Sequence, residues 1–179
     1  MADRDTSAAI RAWAGQRRLP AIHLARWLEM NERDRAALLA IARAVRLSTG
    51  AMVTALTTLE EICVRESCSI ESVLARGEIT RAVRRQPASG PARAGAFLAA
   101  LKSIRYPRLA EAARRLDAEL AALDLPRGIS IFLPKDLASA ELRIELQASD
   151  GAILRRLIEA LSMRTDQLAQ VADRLSGGK

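Results

Sequence analysis

The sequence has few of the residues that build metal centres or aromatic cores. Aromatic residues make up 3% of the 179 residues, whereas half of the chain is apolar. A core of Ala, Leu, Ile and Val suits close helix packing better than a large sheet. Cys63 and Cys68 have a single histidine, His23, as a possible companion, which does not make a zinc site. We therefore expect no metal site and no cofactor, and two cysteines that are buried or half-buried.

Long apolar runs are also lacking. No stretch approaches the ~20 apolar residues that a membrane helix needs. Asp3, Arg4 and Asp5 interrupt any apolar run that could begin a signal peptide. These features predict a protein of the bacterial cytoplasm that has no membrane partner.

The sequence lacks a recognisable catalytic constellation. It contains no Gly-rich phosphate loop, and no Ser/His/Asp or Cys/His set can be assembled from it. His23 fits a surface or partly buried position on a helix, and Glu111 has the spacing of helical ion pairs with Arg114 and Arg115. We predict that the chain is not an enzyme and has no catalytic residues.

One segment has few acidic residues and carries the positive charge of the chain. Between Arg76 and Arg115, ten Lys and Arg residues stand against two acids, a local charge of +8; because the total is +7, the remainder sums to −1. Localised charge of this kind indicates a polyanion partner, of which nucleic acid is the obvious example. The residues predicted to bind DNA, mainly at its phosphates, are Arg76, Arg81, Arg84, Arg85, Arg93, Lys102, Arg105 and Arg108.

Two alternatives stay open for this basic segment. Besides a DNA-binding surface, the segment fits the solvated face of Arg-rich helices. It also fits the surface of a helical adaptor that binds an acidic protein partner. The strongest candidates for phosphate contact flank loops, where helix ends expose side chains: Arg84, Arg85, Arg105 and Arg108.

Helical periodicity and caps dominate the first two thirds of the sequence. Asn31 and Ser69 are predicted to cap helices, and Gly15 is predicted to end the first helix. A loop rich in Pro, Ser and Gly at residues 86–91 is the best internal boundary. The predicted parts are a helical domain at 1–86, a helical connector at 91–124 and a dimerisation-type module at 125–179.

The last third changes to strand-like alternation. Residues 128–133 and 141–147 alternate apolar with polar side chains, and a helix pattern follows from about Asp150. The predicted fold class is mainly α: a multi-helix body with a C-terminal two-stranded antiparallel ribbon plus helix (ββα).

An isolated two-stranded ribbon is marginal in water. Pairing with a second copy, edge to edge, would make a four-stranded sheet and an isologous homodimer. The alternative is a monomeric ββα cap on the helical body. The predicted dimer interface consists of apolar residues of the ribbon and its helix: Ile129, Ile131, Leu142, Ile144, Leu146, Ile153 and Leu157.

Several segments follow the pattern of one protein family. They read Ala-Ile-His-Leu-Ala-Arg-Trp-Leu (21–28), Asn-Glu-Arg-Asp-Arg (31–35), Arg-Leu-Ser (46–48), Leu-Glu-Glu-Ile (59–62), Ser-Ile-Glu-Ser-Val-Leu (69–74), Arg-Tyr-Pro-Arg-Leu (105–109), Leu-Pro-Arg-Gly-Ile (125–129), Leu-Arg-Ile-Glu-Leu (142–146) and a helical pattern at 153–161. Together they resemble the helical middle and the ββα end of a ParB-like group within the ParB/Spo0J family of partition proteins, over about residues 20–162.

The resemblance implies DNA contact and dimerisation through the ββα end. The family's N-terminal CTP-binding, nuclease-like domain is expected to be missing, so spreading along DNA is not implied. Residues 31–55 supply either two helices of a helix-turn-helix or, at 47–50, an ordinary capped turn. Residues 135–138 stand where the group has an aromatic-acid-Gly loop between its strands.

Overall fold

The computed structural model describes residues 2–84, 89–134 and 141–175, with side chains from Asp5 onward. Within these ranges the chain forms ten helices and one two-stranded antiparallel sheet, which confirms the predicted mainly α fold with a small ribbon. The elements are α1 (Ala2–Arg17), α2 (Ala21–Glu29), α3 (Glu32–Ala44), α4 (Thr49–Glu66), α5 (Ile70–Leu74), α6 (Gly77–Arg84), α7 (Gly90–Arg105), α8 (Pro107–Ala122), β1 (Ile129–Phe132), β2 (Arg143–Leu146), α9 (Gly151–Ser162) and α10 (Thr165–Leu175).

The chain groups into two compact units, Met1–Tyr106 and Pro107–Lys179. The first unit has a continuous core of buried side chains from α1 to α7. The second unit buries a smaller set: Leu116, Leu123, Leu157, Leu168 and Val171. The three-part division predicted from the sequence stays a prediction.

Two tryptophans fix the packing of α1 against α2. Trp27 is fully buried and Trp13 nearly so, and their rings meet edge to face with centroids 5.5 Å apart. This geometry is preferred by aromatic pairs and adds about 0.5–1.5 kcal/mol beyond the burial of their area. Two of the five aromatic residues of the chain therefore lie where α1 packs against α2.

Polar side chains cap the helices of the first unit. The Asn31 side chain accepts a hydrogen bond from the Asp34 backbone N–H, and Ser69 accepts from that of Ser72, so both predicted caps are confirmed. Ser48 caps α4 and Ser89 caps α7 in the same way. Each cap satisfies a backbone donor that the first turn of a helix leaves open.

Helices α1, α3 and α4 end in the same motif. A residue with a left-handed backbone closes each helix: Arg18 (φ 52°) closes α1, Arg46 (φ 54°) closes α3 and Ser67 (φ 51°) closes α4. The following residue then donates its backbone N–H to the carbonyl five residues earlier, as in a Schellman motif. The predicted end of α1 at Gly15 is wrong, because the helix continues through this exposed glycine to Arg17.

The ribbon of the second unit pairs Ile129 with Leu146 and Ile131 with Ile144. Its strands are shorter than the alternating sequence segments that predicted them. Gly128 precedes β1 with φ +103°, and its carbonyl oxygen accepts a hydrogen bond from the Gln147 backbone N–H. The predicted loop at residues 135–138 lies outside the described residues.

Candidate nucleic-acid interface

Helices α4 and α7 run parallel, so their N-termini lie at one end of the first unit. At the C-terminal ends, Arg65 Nη2 donates a 2.8 Å hydrogen bond to the carbonyl oxygen of Ile104. At the N-terminal ends, the Arg46 side chain lies over Gly90, where an added methyl group would be 3.3 Å from Arg46 Cδ. Each helix N-terminus carries about half a unit of positive charge. The C-termini of α1 and α3 meet the same end and carry the opposite partial charge, so the charge of this end depends on its side chains.

Helix α1 brings its last residues to the same end. Arg17 Nε donates to the carbonyl oxygen of Leu47 at 3.0 Å, and Thr49 Oγ1 donates to the carbonyl oxygen of Arg17 at 2.5 Å. The Arg17 guanidinium also lies 4.7 Å from the centroid of the Trp13 ring, a cation–π contact. These contacts join the end of α1 to the connection between α3 and α4.

Six arginines lie within about one turn of the helix ends that meet here. Arg17 and Arg93 are half-buried and the other four are exposed. Arg84 ends α6, which packs against α7, the helix whose N-terminus lies here. We call this surface the basic end; it consists of Arg17, Arg18, Arg43, Arg46, Arg84 and Arg93.

The segments that form the basic end contain no acidic residue. Neither Asp nor Glu occurs at residues 6–28, 35–59 or 79–110. Within the described ranges, none of the six arginines takes part in an ion pair. Their charge is therefore available to an anionic partner.

The C-terminal part of α4 lies at the opposite end of the unit and carries three carboxylates, those of Glu60, Glu61 and Glu66; we call this region the carboxylate end. Its carboxylates are paired with arginines: Arg26 with Glu60, Arg105 with Glu61, and both Arg65 and Arg76 with Glu66. Hydrogen bonds from Arg76 and Arg65 lower the pKa of Glu66, as expected for a carboxylate that accepts from two cations. The two ends thus differ in pairing: the arginines named at the carboxylate end are paired with carboxylates, whereas the six of the basic end take no part in ion pairs of the described residues.

Part of the predicted DNA-binding set belongs to the basic end. Arg84 and Arg93 lie in it, and Arg81 lines an open surface groove together with Arg84, Gly77 and Thr80. Arg85 lies outside the described residues.

The rest of the predicted set lies elsewhere. Arg76 and Arg105 are at the carboxylate end and are already paired with carboxylates of α4, which corrects the expectation that they are free for phosphates. Lys102 is exposed in the last turn of α7, and Arg108 belongs to the second unit. The basic segment of the sequence therefore does not form one surface.

Sequence reasoning missed four arginines of the basic end: Arg17, Arg18, Arg43 and Arg46. They are spread over two helix ends, so a count of bases along the chain does not detect them. The detectable signal was the absence of acids from three separate segments rather than an excess of bases in one.

The second unit exposes apolar side chains around its ribbon. Ile144 is 36% exposed, Phe132 44% and Ile158 48%. Leu157 is 1% exposed and lies beside Gly128 in the core of its own unit, which corrects its assignment to an interface. The other predicted interface residues are half-buried: Ile129, Ile131, Leu142, Leu146 and Ile153.

Among the described residues, no group of three or more His, Cys, Asp and Glu side chains could hold a metal ion. None of the described helices is both long enough and apolar enough to cross a membrane. In comparisons with known proteins, no family model, curated protein or solved structure matches the chain.

Proposed function

We propose that the chain is a non-enzymatic DNA-binding protein of the bacterial cytoplasm that contacts phosphates through the basic end. The observation that supports this is the basic end itself, where arginines that form no ion pair with any described residue lie on segments free of acids. Duplex DNA carries one negative charge per ~1.7 Å of its axis, and arginines that neutralise phosphates release the counterions held there. Arginine forks also match the geometry of phosphate oxygens.

The backbone at the basic end adds support. Arg18 and Arg46 both occupy the left-handed region, which costs a residue other than glycine about 1–2 kcal/mol. Glycine would fit both positions without this cost. An arginine at a position where the backbone favours glycine is a reason to infer a role for the arginine side chain.

A ParB-like assignment is part of the same proposal. It is supported by the order of the elements, in which a helical body precedes a two-stranded ribbon and further helices. Contacts that are mainly to phosphates position a protein on DNA without reading its sequence. We therefore expect affinity to vary little among duplexes of different sequence.

The decisive experiment compares Arg46→Asn with Arg33→Asn. Asn tolerates the left-handed backbone of Arg46, and Arg33 is an exposed arginine in the first turn of α3, away from the basic end. Binding to a random duplex is measured by fluorescence anisotropy at several salt concentrations. Arg46→Asn should weaken binding and make the slope of log K against log salt shallower by ~0.9, whereas Arg33→Asn should leave both unchanged.

Two results would contradict the proposal. One is that the chain does not bind DNA at low salt; the other is that the two variants have the same slope. A third result would favour the helical adaptor: the chain does not bind DNA, but it binds an acidic protein partner, and Arg46→Asn abolishes that binding.

We further propose that the protein is a homodimer in which β2 pairs with β2 of a second copy. The sequence of β2 and its flanks is self-complementary when two copies run antiparallel about Ile144. Arg143 then lies opposite Glu145 of the second copy on one face, and Leu142 lies opposite Leu146 on the other. Directly opposed residues of antiparallel strands share a face, and opposite charges there are stabilising. The exposed fraction of Ile144 is consistent with a position that a partner would cover.

A further inference from the structure

The end of α4 brings the two cysteines of the chain together. Ser67 has a left-handed backbone, and the backbone N–H groups of Ser67 and Cys68 both donate to the carbonyl oxygen of Cys63. This is a Schellman motif, in which the side chains at the two ends of the closed turn are usually in contact. Here those two side chains are the thiols of Cys63 and Cys68.

The same motif occurs twice more in the first unit, with apolar residues at the corresponding positions. At the end of α1 the pair is Ala14 and Leu19, and at the end of α3 it is Ala42 and Leu47; all four are buried. Only the α4 motif, among these three, has reactive side chains at both positions. Both thiols are half-buried and line a shallow open pocket beside Asp34 and Glu60, so small molecules can reach them.

The two sulfurs have different surroundings. Arg76 Nη2 lies 3.9 Å from Cys68 Sγ, where the guanidinium would attract a negatively charged sulfur. Burial, together with the neighbouring Cys68 and Asp34, raises the pKa of the Cys63 thiol to about 12. Arg76 is itself paired with Glu66, which keeps its guanidinium in place. The contact of Arg76 Nη2 with Cys68 Sγ is the observation that assigns Cys68 as the attacking sulfur.

We propose that Cys63 and Cys68 form a site of reversible oxidation, in which a peroxide converts the thiol pair into an intramolecular disulfide at the end of α4. The Cys68 thiolate attacks one peroxide oxygen, the O–O bond breaks, and the departing hydroxide takes up a proton to become water. Cys68 is then a sulfenic acid. The Cys63 sulfur attacks the sulfenic sulfur, the S–O bond breaks as the S–S bond forms, and the Cys63 proton leaves with the hydroxide as a second water. The two electrons lost by the thiols reduce the peroxide.

The experiment treats the intact, reduced chain with hydrogen peroxide and then digests it with trypsin without reduction. Cleavage after Arg65 separates Cys63 from Cys68, so their peptides (residues 47–65 and 66–76) stay together only if a disulfide joins them. We expect both free thiols to disappear, a mass loss of about 2 Da, a linked peptide pair, and recovery of both thiols with dithiothreitol. A chain that keeps both thiols, or that forms only disulfide-linked dimers, would overturn the proposal.

Single variants test the order of the two steps. In Cys63→Ser, Cys68 has no resolving partner, so it should accumulate a sulfenic acid that dimedone traps. In Cys68→Ser, Cys63 should stay a thiol under the same treatment. Equal trapping in both variants would refute the assignment of Cys68 as the attacking sulfur. The variant Ser67→Gly, which keeps the left-handed turn, serves as the control and should form the disulfide as the unmodified chain does.

Discussion

Gly128 shows how one residue fixes the ribbon of the second unit. Its φ of +103° lies in a region of backbone conformation that residues other than glycine rarely adopt. A Cβ at this position would lie 2.7 Å from the Gln147 carbonyl oxygen and 3.1 Å from Leu157 Cδ1. We predict that Gly128→Ala lowers the free energy of unfolding by about 1–3 kcal/mol. The measurement is urea unfolding followed by far-UV circular dichroism.

A matched glycine provides the control for this prediction. Gly95 is exposed inside α7, and a Cβ added there meets nothing within 4 Å. Gly95→Ala should raise stability by about 0.5–1 kcal/mol, because alanine loses less conformational freedom in a helix. If Gly128→Ala unfolds at the same urea concentration as the unmodified chain, the backbone argument fails.

At the residue scale, caps and the ion pair of Glu111 with Arg115 within α8 could be predicted from the sequence, whereas ion pairs between helices could not. Asn31 and Ser69 cap helices through backbone groups three residues away, so side-chain type and local pattern are sufficient to identify them. The pairing of Arg105 with Glu61 joins residues on α7 and α4, which become neighbours only when the helices pack. The sequence around Arg105 predicted a phosphate contact for it, but the same local sequence could not show that Glu61 is its partner.

At the scale of elements, β2 is the strand that a second copy would extend. Arg143→Glu and Glu145→Arg each place like charges opposite each other in a β2–β2 pair, which destabilises it. We predict that each variant alone is monomeric, whereas an equimolar mixture forms a dimer. In the mixed pair one strand has two acids at positions 143 and 145 and the other has two bases, so both cross-strand contacts join opposite charges. Sedimentation equilibrium measures the mass.

The mixture also separates the dimer contact from a contact within one chain. Arg143 pairs with Glu145 of its own strand, and neither variant restores that pair. Recovery of the dimer on mixing therefore reports a contact between chains. Circular dichroism of each variant checks that the ribbon and helices remain folded. An unmodified chain that is monomeric at high concentration, or a mixture that stays monomeric, would rule out β2 pairing.

Helices and strands were largely predictable because their periodicity is local. The alternation at residues 128–133 and 141–147 located the ribbon, although pairing covers only Ile129–Phe132 and Arg143–Leu146. Helix α6 was missed, since its eight residues lie within the basic segment and have a single fully buried side chain, Ile79. A segment this short receives its helical stability from packing against α7 rather than from its own sequence.

At the scale of the whole molecule, the arrangement of charge could not be read along the chain. The sequence places its excess of bases at residues 76–115, but folding brings Arg76 and Arg105 to the carboxylate end of the first unit and Arg17 and Arg46 to the other end. Net charge and its local density are properties of the sequence, whereas a surface depends on which helix ends meet. The prediction of a nucleic-acid partner depends on that second property.

Two double variants of equal net charge distinguish location from quantity. Arg46→Glu/Arg84→Glu reverses two residues of the basic end, and Arg33→Glu/Arg114→Glu reverses two exposed arginines outside it; each pair lowers the formal net charge of +7 by four. We predict that the first variant loses affinity for a random duplex by about tenfold or more per arginine, which is ~1.4 kcal/mol each. The second variant should keep an affinity within about threefold of that of the unmodified chain, because screened surface charges far from the DNA change binding little. Anisotropy titrations at one salt concentration give both values, and thermal unfolding shows whether the variants are folded. An equal loss in the two would mean that the total charge, and not the meeting of these helix ends, attracts the DNA.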